Sequence, residues 1–446
     1  MASIQTSKGG AHTGKDIAAL AVPHDARMSR GALTMAWWAV CSAMFWLVVS
    51  ATLALYYGAV NTLIGLVLSA VVYSVINAVL ARHAIKSGLS VALFSRKLFG
   101  SGGAALATLV FFATAIYYGV FEGSVIAVAI NAYWPGISLK MAYLIVVLYS
   151  APLVFGSVQQ WLDKLNGVLL PFYILGLLAA VVLTLSNYGY SDAWLQLAPA
   201  GGAPADGWWR CFTYFMGVWI LMMYTWDYAR FGKREDADYH ARLNFGMPFY
   251  VFTFVLNGAA GIFLATSIPH IGAVTEVSVV LGLLKLMGFA GLLFVWVSQT
   301  RINTANFHLA TDNMQTFFDR TMGIQAPRIV WASVVGVVVY LLMLTNVFSF
   351  ILQALAYQGI FVVSWVGIAM TYILVDHASL EDLESPKHRR LSFTAWVLSS
   401  GVGIGCMLAG GVLADWSAPI TLGVSVLAYR MLTYSAKQAA LEGASA

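Results

Sequence analysis

The sequence predicts an all-α polytopic membrane protein with about twelve transmembrane helices, and three observations carry that expectation. Hydrophobic residues fill 60% of the 446 positions and charged residues only 10%, against roughly 25% charged in an ordinary soluble protein. A soluble fold of that size would lack the charge to cover its surface. The apolar residues also come in runs of about 20 or more, long enough to cross a hydrocarbon core of about 30 Å, whereas a membrane β-barrel would show alternating segments of about ten residues. Finally, basic residues are unevenly shared between alternate connections, as the positive-inside rule demands.

Hydropathy and punctuation place the spans near 34–57, 60–81, 103–131, 141–158, 166–186, 208–229, 244–267, 288–311, 329–345, 347–375, 392–412 and 417–434. Val274–Met287 is apolar but short and reads as a helix lying at the surface. The connection Ser186–Trp209, rich in Gly, Pro and aromatics, reads as an interfacial loop. Residues 1–31 carry Lys8, Lys15, Asp16, Arg27 and Arg30 around one short apolar stretch, Ile17–Val22. That stretch is too short for a signal-peptide core, so an uncleaved cytoplasmic tail is expected. A second tail, 435–446, leaves 32–434 as a single transmembrane unit.

With the amino terminus inside, the cytoplasmic segments collect most of the 24 lysines and arginines, including Arg27, Arg30, Arg82, Lys86, Arg96, Arg234 and Arg390. The outer side keeps only Lys140, Arg210 and Lys285. Both termini are therefore expected in the cytoplasm, with the chain in a bacterial-type inner (plasma) membrane. The net charge of +5 is no nucleic-acid footprint, because the basic residues sit at helix ends rather than on one face. Cys41, Cys211 and Cys406 lie inside apolar segments without metal-ligand spacing, and the eight histidines form no metal constellation. No phosphate-binding loop and no nucleophile–base set is visible, which argues against an enzyme and its cofactors. A channel would show charge rings or filter loops from symmetric subunits, and none is seen.

Ionisable residues inside a membrane span cost at least about 2.5 kcal/mol each on insertion scales. Glu122 in the third span and Arg301 in the eighth are the two that need explaining. Glu122 shares a helix face with Tyr118 and Val125, flanked by Tyr117, Phe121 and Ser124. In the eighth span Gln299, Asn303 and Asn306 form a polar stripe beside Arg301, which must face protein or a water-filled cavity. A structural Glu122–Arg301 ion pair and interhelical amide bonding are the plain readings. Acid, guanidinium, amides and aromatics gathered in two spans also suit a small planar polar solute, with rings to stack on and amides to read its edges.

Several ordered motifs resemble the nucleobase–cation symporter family, the cytosine, purine, uracil, allantoin and hydantoin permeases. Ala84-Ile85-Lys86-Ser87-Gly88-Leu89-Ser90, then Leu93-Phe94-Ser95-Arg96 and Phe99-Gly100, resemble its loop after the second span. Val22-Pro23 through Arg27 is similar to its amino-terminal tail, and Tyr117-Tyr118-Gly119-Val120 to its third-span stretch. Trp161 through Asn166 resembles its loop before the fifth span, and Asp227-Tyr228-Ala229-Arg230-Phe231 the end of its sixth. The resemblance runs from the tail to the twelfth span. It implies a LeuT-type arrangement, five spans repeated in inverted topology plus two more, with the first and sixth spans broken at the substrate. The first span has no Gly or Pro from Ala32 to Tyr57, so its break is not signposted, while Gly217 is the sole Gly of the sixth.

Carried across the resemblance, the base-stacking Trp of the third span falls on Tyr117 and the substrate-bonding Gln on Phe121, with Glu122 next to it able to take over that role. The stacking aromatic of the sixth span matches Trp219, beside Gly217, and the Asn of the eighth matches Asn306, with Asn303 on the same stripe. The two hydroxyl ligands of the family's sodium ion fall on Thr300 and Arg301. A fixed guanidinium at that position repels a second cation, so coupling to H+, or to no ion, is expected rather than coupling to Na+, with Glu122 as the titrating candidate. The resemblance thus implies a permease importing a small planar heterocycle (a nucleobase, hydantoin, allantoin or pyrimidine derivative) from the outer side of a lipid bilayer. The alternative is a same-fold transporter of an amino acid or organic cation, which a carboxylate such as Glu122 would pair.

Overall fold

The computed structural model describes residues 21–154, 157–269, 272–345, 347–376 and 385–444; the expected tail residues 1–20 lie outside them. Among the described residues there are helices and turns but no strand. The first span is two helices, Arg30–Trp38 and Phe45–Tyr57; the second is Ala59–Ser87, the third Val91–Tyr133, the fourth Leu139–Ser150 with a last turn at Pro152–Val154, and the fifth Ser157–Tyr188. The sixth joins Gly207–Met216 to Ile220–Ala229, and the seventh runs to Ser267 through two wide π turns. Phe289–Met322, Arg328–Met343, Ile351–Thr371, Pro386–Ala409 and Ser417–Ala444 complete the bundle. Seven of these helices are long and apolar enough to cross a membrane.

The helix ends obey local chemistry. Ser90 caps the third helix by accepting the Leu93 N–H at 3.2 Å. Gly88 ends the second helix in the left-handed region, φ 67°, where a side chain would be strained and would press on Val22. Within the third helix Gly100 leaves helical geometry at φ 75°, so Val91 to Phe99 forms a separate short helix leading into the span proper.

Several boundaries differ from the sequence reading. The eighth helix continues about three turns beyond residue 311, to Met322, because its polar carboxy-terminal part is still helical beyond the apolar run. Trp161–Asn166 lies within the helix that starts at Ser157, not in a loop. The last helix runs through the expected tail to Ala444. Ser278–Met287 is a helix as expected, but Val279, Val280 and Leu283 are fully buried, so it is wedged into the bundle rather than lying on it.

Sidedness follows helical period. On the second helix Val60, Val67, Val71 and Val75 are exposed while Thr62, Ser69 and Asn77 are buried. Apolar side chains thus face outward and hydroxyls and amides inward, as a lipid-facing surface requires. The third and eighth helices pack along their length, and Gln299, Asn303 and Asn306 are all buried between helices.

At one end of the bundle, where the basic residues gather, the resemblance-carrying motifs converge. Arg27 donates to the carbonyls of Ile85 at 2.7 Å and Gly232 at 2.5 Å. The Val22 N–H donates to Gly88 O and the Met28 N–H to Phe231 O. Trp226 Nε1 donates to Leu89 O, and Asp227 accepts the Val91 N–H, both at 2.8 Å. Arg30 pairs with Asp236 at 2.5 Å. Those motifs build a strap across this end of the first span.

Candidate substrate and ion site

The first span unwinds between residues 39 and 44. Ala39–Ser42 is a 3-10 turn and Ala43 is extended, φ −65° and ψ 127°. Unwinding orphans backbone groups that, buried without partners, would cost about 1–3 kcal/mol each. Other side chains satisfy them. Asn257 of the seventh span donates to Cys41 O at 2.9 Å, and Trp46 Nε1 to Val40 O at 3.1 Å. Ser42 Oγ donates to Ala39 O at 2.8 Å. Gln299 Oε1 accepts the Met44 N–H at 2.8 Å. Arg301 Nη1 donates to the same Ala39 carbonyl and lies 3.2 Å from Ser42 Oγ. Two side chains of the eighth span therefore hold the break at either end.

Glu122 is buried, 1% exposed, and its Oε2 accepts from Gln299 Nε2. No ion pair joins Glu122 to Arg301 among the described residues; the guanidinium is turned toward the break instead. Beside Glu122 lies a cavity of about 70 Å³, walled by Ala43 and Phe45, by Tyr118 and Glu122, by Val218, Leu221 and Tyr224, and by Ile302 and Asn306. The first, third, sixth and eighth spans each supply part of it. Two polar atoms on its wall, Asn306 Nδ2 and Tyr224 OH, are buried with no partner among the described residues. A buried donor without a partner is costly enough to point to a missing one.

The structure sorts the expected site residues. Tyr118, Glu122 and Asn306 line this cavity together. Tyr117 instead lines a separate groove of about 300 Å³ between the third and tenth spans, because a step of one residue turns a helical side chain by about 100°. Phe121 is fully buried, edge-on to Phe45 and Phe348 at 5.3 and 5.5 Å. Trp219 is not on the cavity wall; it packs edge-on to Tyr73 of the second span. Gly217 does not line this cavity either. It permits close approach of the tenth span, where a Cβ would lie 2.3 Å from Leu355 O. Asn303 Nδ2 donates to Ser150 at 3.1 Å, while its Oδ1 has no partner among the described residues. Thr300 is hydrogen-bonded to Tyr149 of the fourth span at 3.1 Å.

Sequence reasoning missed Tyr224, Gln299 as a bridge, Asn257 and the Ala43–Phe45 wall. A signal existed for Asn257, the only amide side chain within the apolar run Met247–Ser267. None existed for Ala43 or Phe45, whose role arises from the unwinding.

A sodium ion held by first-span carbonyls and eighth-span hydroxyls does not fit these residues. Arg301 Nη1 already donates to Ala39 O, and a further cation about 4 Å from the guanidinium would be repelled by about 4 kcal/mol at an effective dielectric near 20.

Among the described residues, the twelve spans, in which an unwound first span closes a cavity against the third, sixth and eighth, have the LeuT-type architecture, and the family match makes the chain a membrane transporter rather than an enzyme. Within that class, the chain belongs to the permease family for cytosine/purines, uracil, thiamine and allantoin, which it matches over residues 21–411. It superposes on Mhp1, a nucleobase-cation-symport-1 family transporter, in a closed conformation with bromovinylhydantoin bound, with TM-score 0.70 and 16% identity over 93% of this chain and 95% of that one. The inward-facing conformation of Mhp1 gives TM-score 0.70 and 15% identity over 91% and 90%. A Na+-coupled sialic acid symporter in a substrate-bound outward-open state is more distant, with TM-score 0.58 and 12% identity over 94% and 92%. A comparison with curated proteins finds no match.

Proposed function

We propose that this permease imports a small planar heterocycle, such as a nucleobase, hydantoin, allantoin or pyrimidine derivative, by alternating access and without a sodium ion at the first-span break. The observation that carries the reading is the cavity beside Glu122 with two donors, Asn306 Nδ2 and Tyr224 OH, that have no partner among the described residues. Two donors and a carboxyl around an aromatic wall match the donor and acceptor edges of a polar ring. At about 70 Å³ the cavity has room for about two waters, against the roughly 150 Å³ that accommodates benzene. Substrate therefore enters with displacement of a wall, and Tyr118 and Tyr224 are the side chains placed to give way.

Arg301 takes the part of a built-in cation at the break, and Glu122 is the group that exchanges a proton. The basic end of the bundle, with Arg27, Arg30, Arg82 and Arg234, faces the cytoplasm under the positive-inside rule. This reading takes both termini to be cytoplasmic and the membrane to be a plasma-type one. A carboxyl without a cationic partner on the cavity wall also supports a second reading, transport of an organic cation or amino acid.

Reconstituted protein assayed with labelled cytosine, uracil, hydantoin, allantoin, an amino acid and an organic amine, under H+ and Na+ gradients imposed separately, tests these readings. Uptake of a heterocycle without Na+ is expected. Strict Na+ dependence sinks the built-in cation, and uptake of the amine alone sinks the heterocycle.

A further inference from the structure

Among the described residues, Gln299 is the one side chain hydrogen-bonded to both the cavity carboxyl and the unwound backbone. Its orientation is settled by chemistry. The Met44 N–H can only donate, so the carboxamide oxygen must face it, as it does at 2.8 Å. The amide nitrogen then faces Glu122 Oε2. That nitrogen can only donate, so Oε2 must accept.

We infer that Gln299 is a positioning residue: it confines any proton on Glu122 to Oε1 and passes the charge state of Glu122 to the break in the first span. The inference rests on the proposed reading of Glu122 as the proton-exchanging group. With the carboxyl ionised, the Gln299–Glu122 bond is charge-assisted and strong, and it polarises the amide so that Oε1 of Gln299 grips the Met44 N–H more firmly. When a proton from solution binds at Glu122 Oε1, the first bond reverts to a neutral one and the second weakens with it. Protonation thus loosens one of the two ties by which the eighth span holds the break, while the Arg301–Ala39 tie is unaffected because a guanidinium does not titrate.

Among the described residues, Glu122 is the only acid lining the cavity. The ionisable groups near it are Tyr117 and Tyr118 on its own helix, Tyr173 of the fifth span and Tyr224 of the sixth. Cys41 lies in the break, and Arg301 of the eighth span is directed at Ala39 and Ser42. The fourth, ninth and tenth spans put no ionisable side chain on the cavity wall.

The test uses the full chain in lipid, without substrate. Infrared titration follows the protonated-carboxyl band that disappears in Glu122→Gln. Alkylation of Cys41, in the break, is read by peptide mass spectrometry as a ratio to Cys211, which cancels the general rise of thiol reactivity with pH. In the native protein the Cys41:Cys211 ratio should rise as pH falls, tracking the band. Gln299→Met should raise the band's midpoint by about one pH unit, a tenfold gain in proton affinity from losing a donor to the carboxylate, and should leave the ratio high at every pH. Gln299→Glu keeps an acceptor for Met44 but sets an acid against Glu122, so it should raise the midpoint while the ratio stays low. An unchanged midpoint in both variants overturns the inference. A ratio that ignores pH in the native protein overturns the transmission to the break. If the native Glu122 band does not titrate at all, the proton reading of the site fails first and takes this inference with it.

Discussion

Arg301 donates through Nη1 to the carbonyl of Ala39, the residue at which the first α-helix of the span gives way to a 3-10 turn. A side-chain cation thus lies against a backbone oxygen that the helix has left free. The bond joins the first and eighth spans, which in an alternating-access cycle must move relative to each other. Its covalent tether makes this charge different from a diffusible ion, since it cannot leave with the substrate.

Arg301→Thr restores a hydroxyl beside Thr300 and removes the tethered charge. Uptake without Na+ should fall about tenfold or more, as expected from loss of a buried charged hydrogen bond. An outside Na+ gradient should recover part of it. Flux measured with and without Na+ in proteoliposomes reads both effects, and a sodium-independent variant with native flux contradicts the assignment.

Tyr224→Phe and Asn306→Ala each remove a partnerless donor from the cavity wall. Each should raise the KM for the transported heterocycle about tenfold, the equivalent of about 1.4 kcal/mol. Trp219→Phe should leave KM within about twofold and act on stability instead, because Trp219 packs on Tyr73. A large KM change in Trp219→Phe with none in Tyr224→Phe would reverse the placement of the site.

Asn257 donates to Cys41 O and accepts from Tyr173 OH at 3.2 Å. Asn257→Leu leaves a buried carbonyl and a buried hydroxyl unsatisfied, so it should cost about 2–4 kcal/mol and lower the melting midpoint in detergent. Asn257→Asp keeps the acceptor and should cost more, since it sets a buried carboxyl against the Cys41 carbonyl.

Arg27→Ala cuts the two carbonyl bonds that strap the amino-terminal segment to the second span and the connection after the sixth. Cysteines introduced near Arg30 should react with an impermeant thiol reagent several-fold faster than in the native strap, with side-chain loss of this kind costing about 1–3 kcal/mol. Unaltered labelling would show that the strap does not gate that end.

Much of the site was legible as residue types but not as geometry. Glu122 and Arg301 stood out because charge inside a membrane span is expensive, and the Gln299–Asn303–Asn306 stripe because 3.6-residue periodicity puts those amides on one buried face. The resemblance puts Trp219 and Gly217 at the substrate; in the structure Val218 and Leu221 line the cavity while the Trp219 ring packs on Tyr73, one or two positions of helix rotation away. Such a rotation leaves no mark on composition or hydropathy.

What the chain settles by its own order is the helical, polytopic membrane architecture and the polar residues that must turn inward, because burial in lipid penalises every unsatisfied polar group wherever it occurs. Only the packed structure decides where the first span unwinds. No Gly or Pro marks Ala39–Met44; the break is stable because Asn257, Gln299 and Arg301, more than two hundred residues away, supply the hydrogen bonds that the helix gives up.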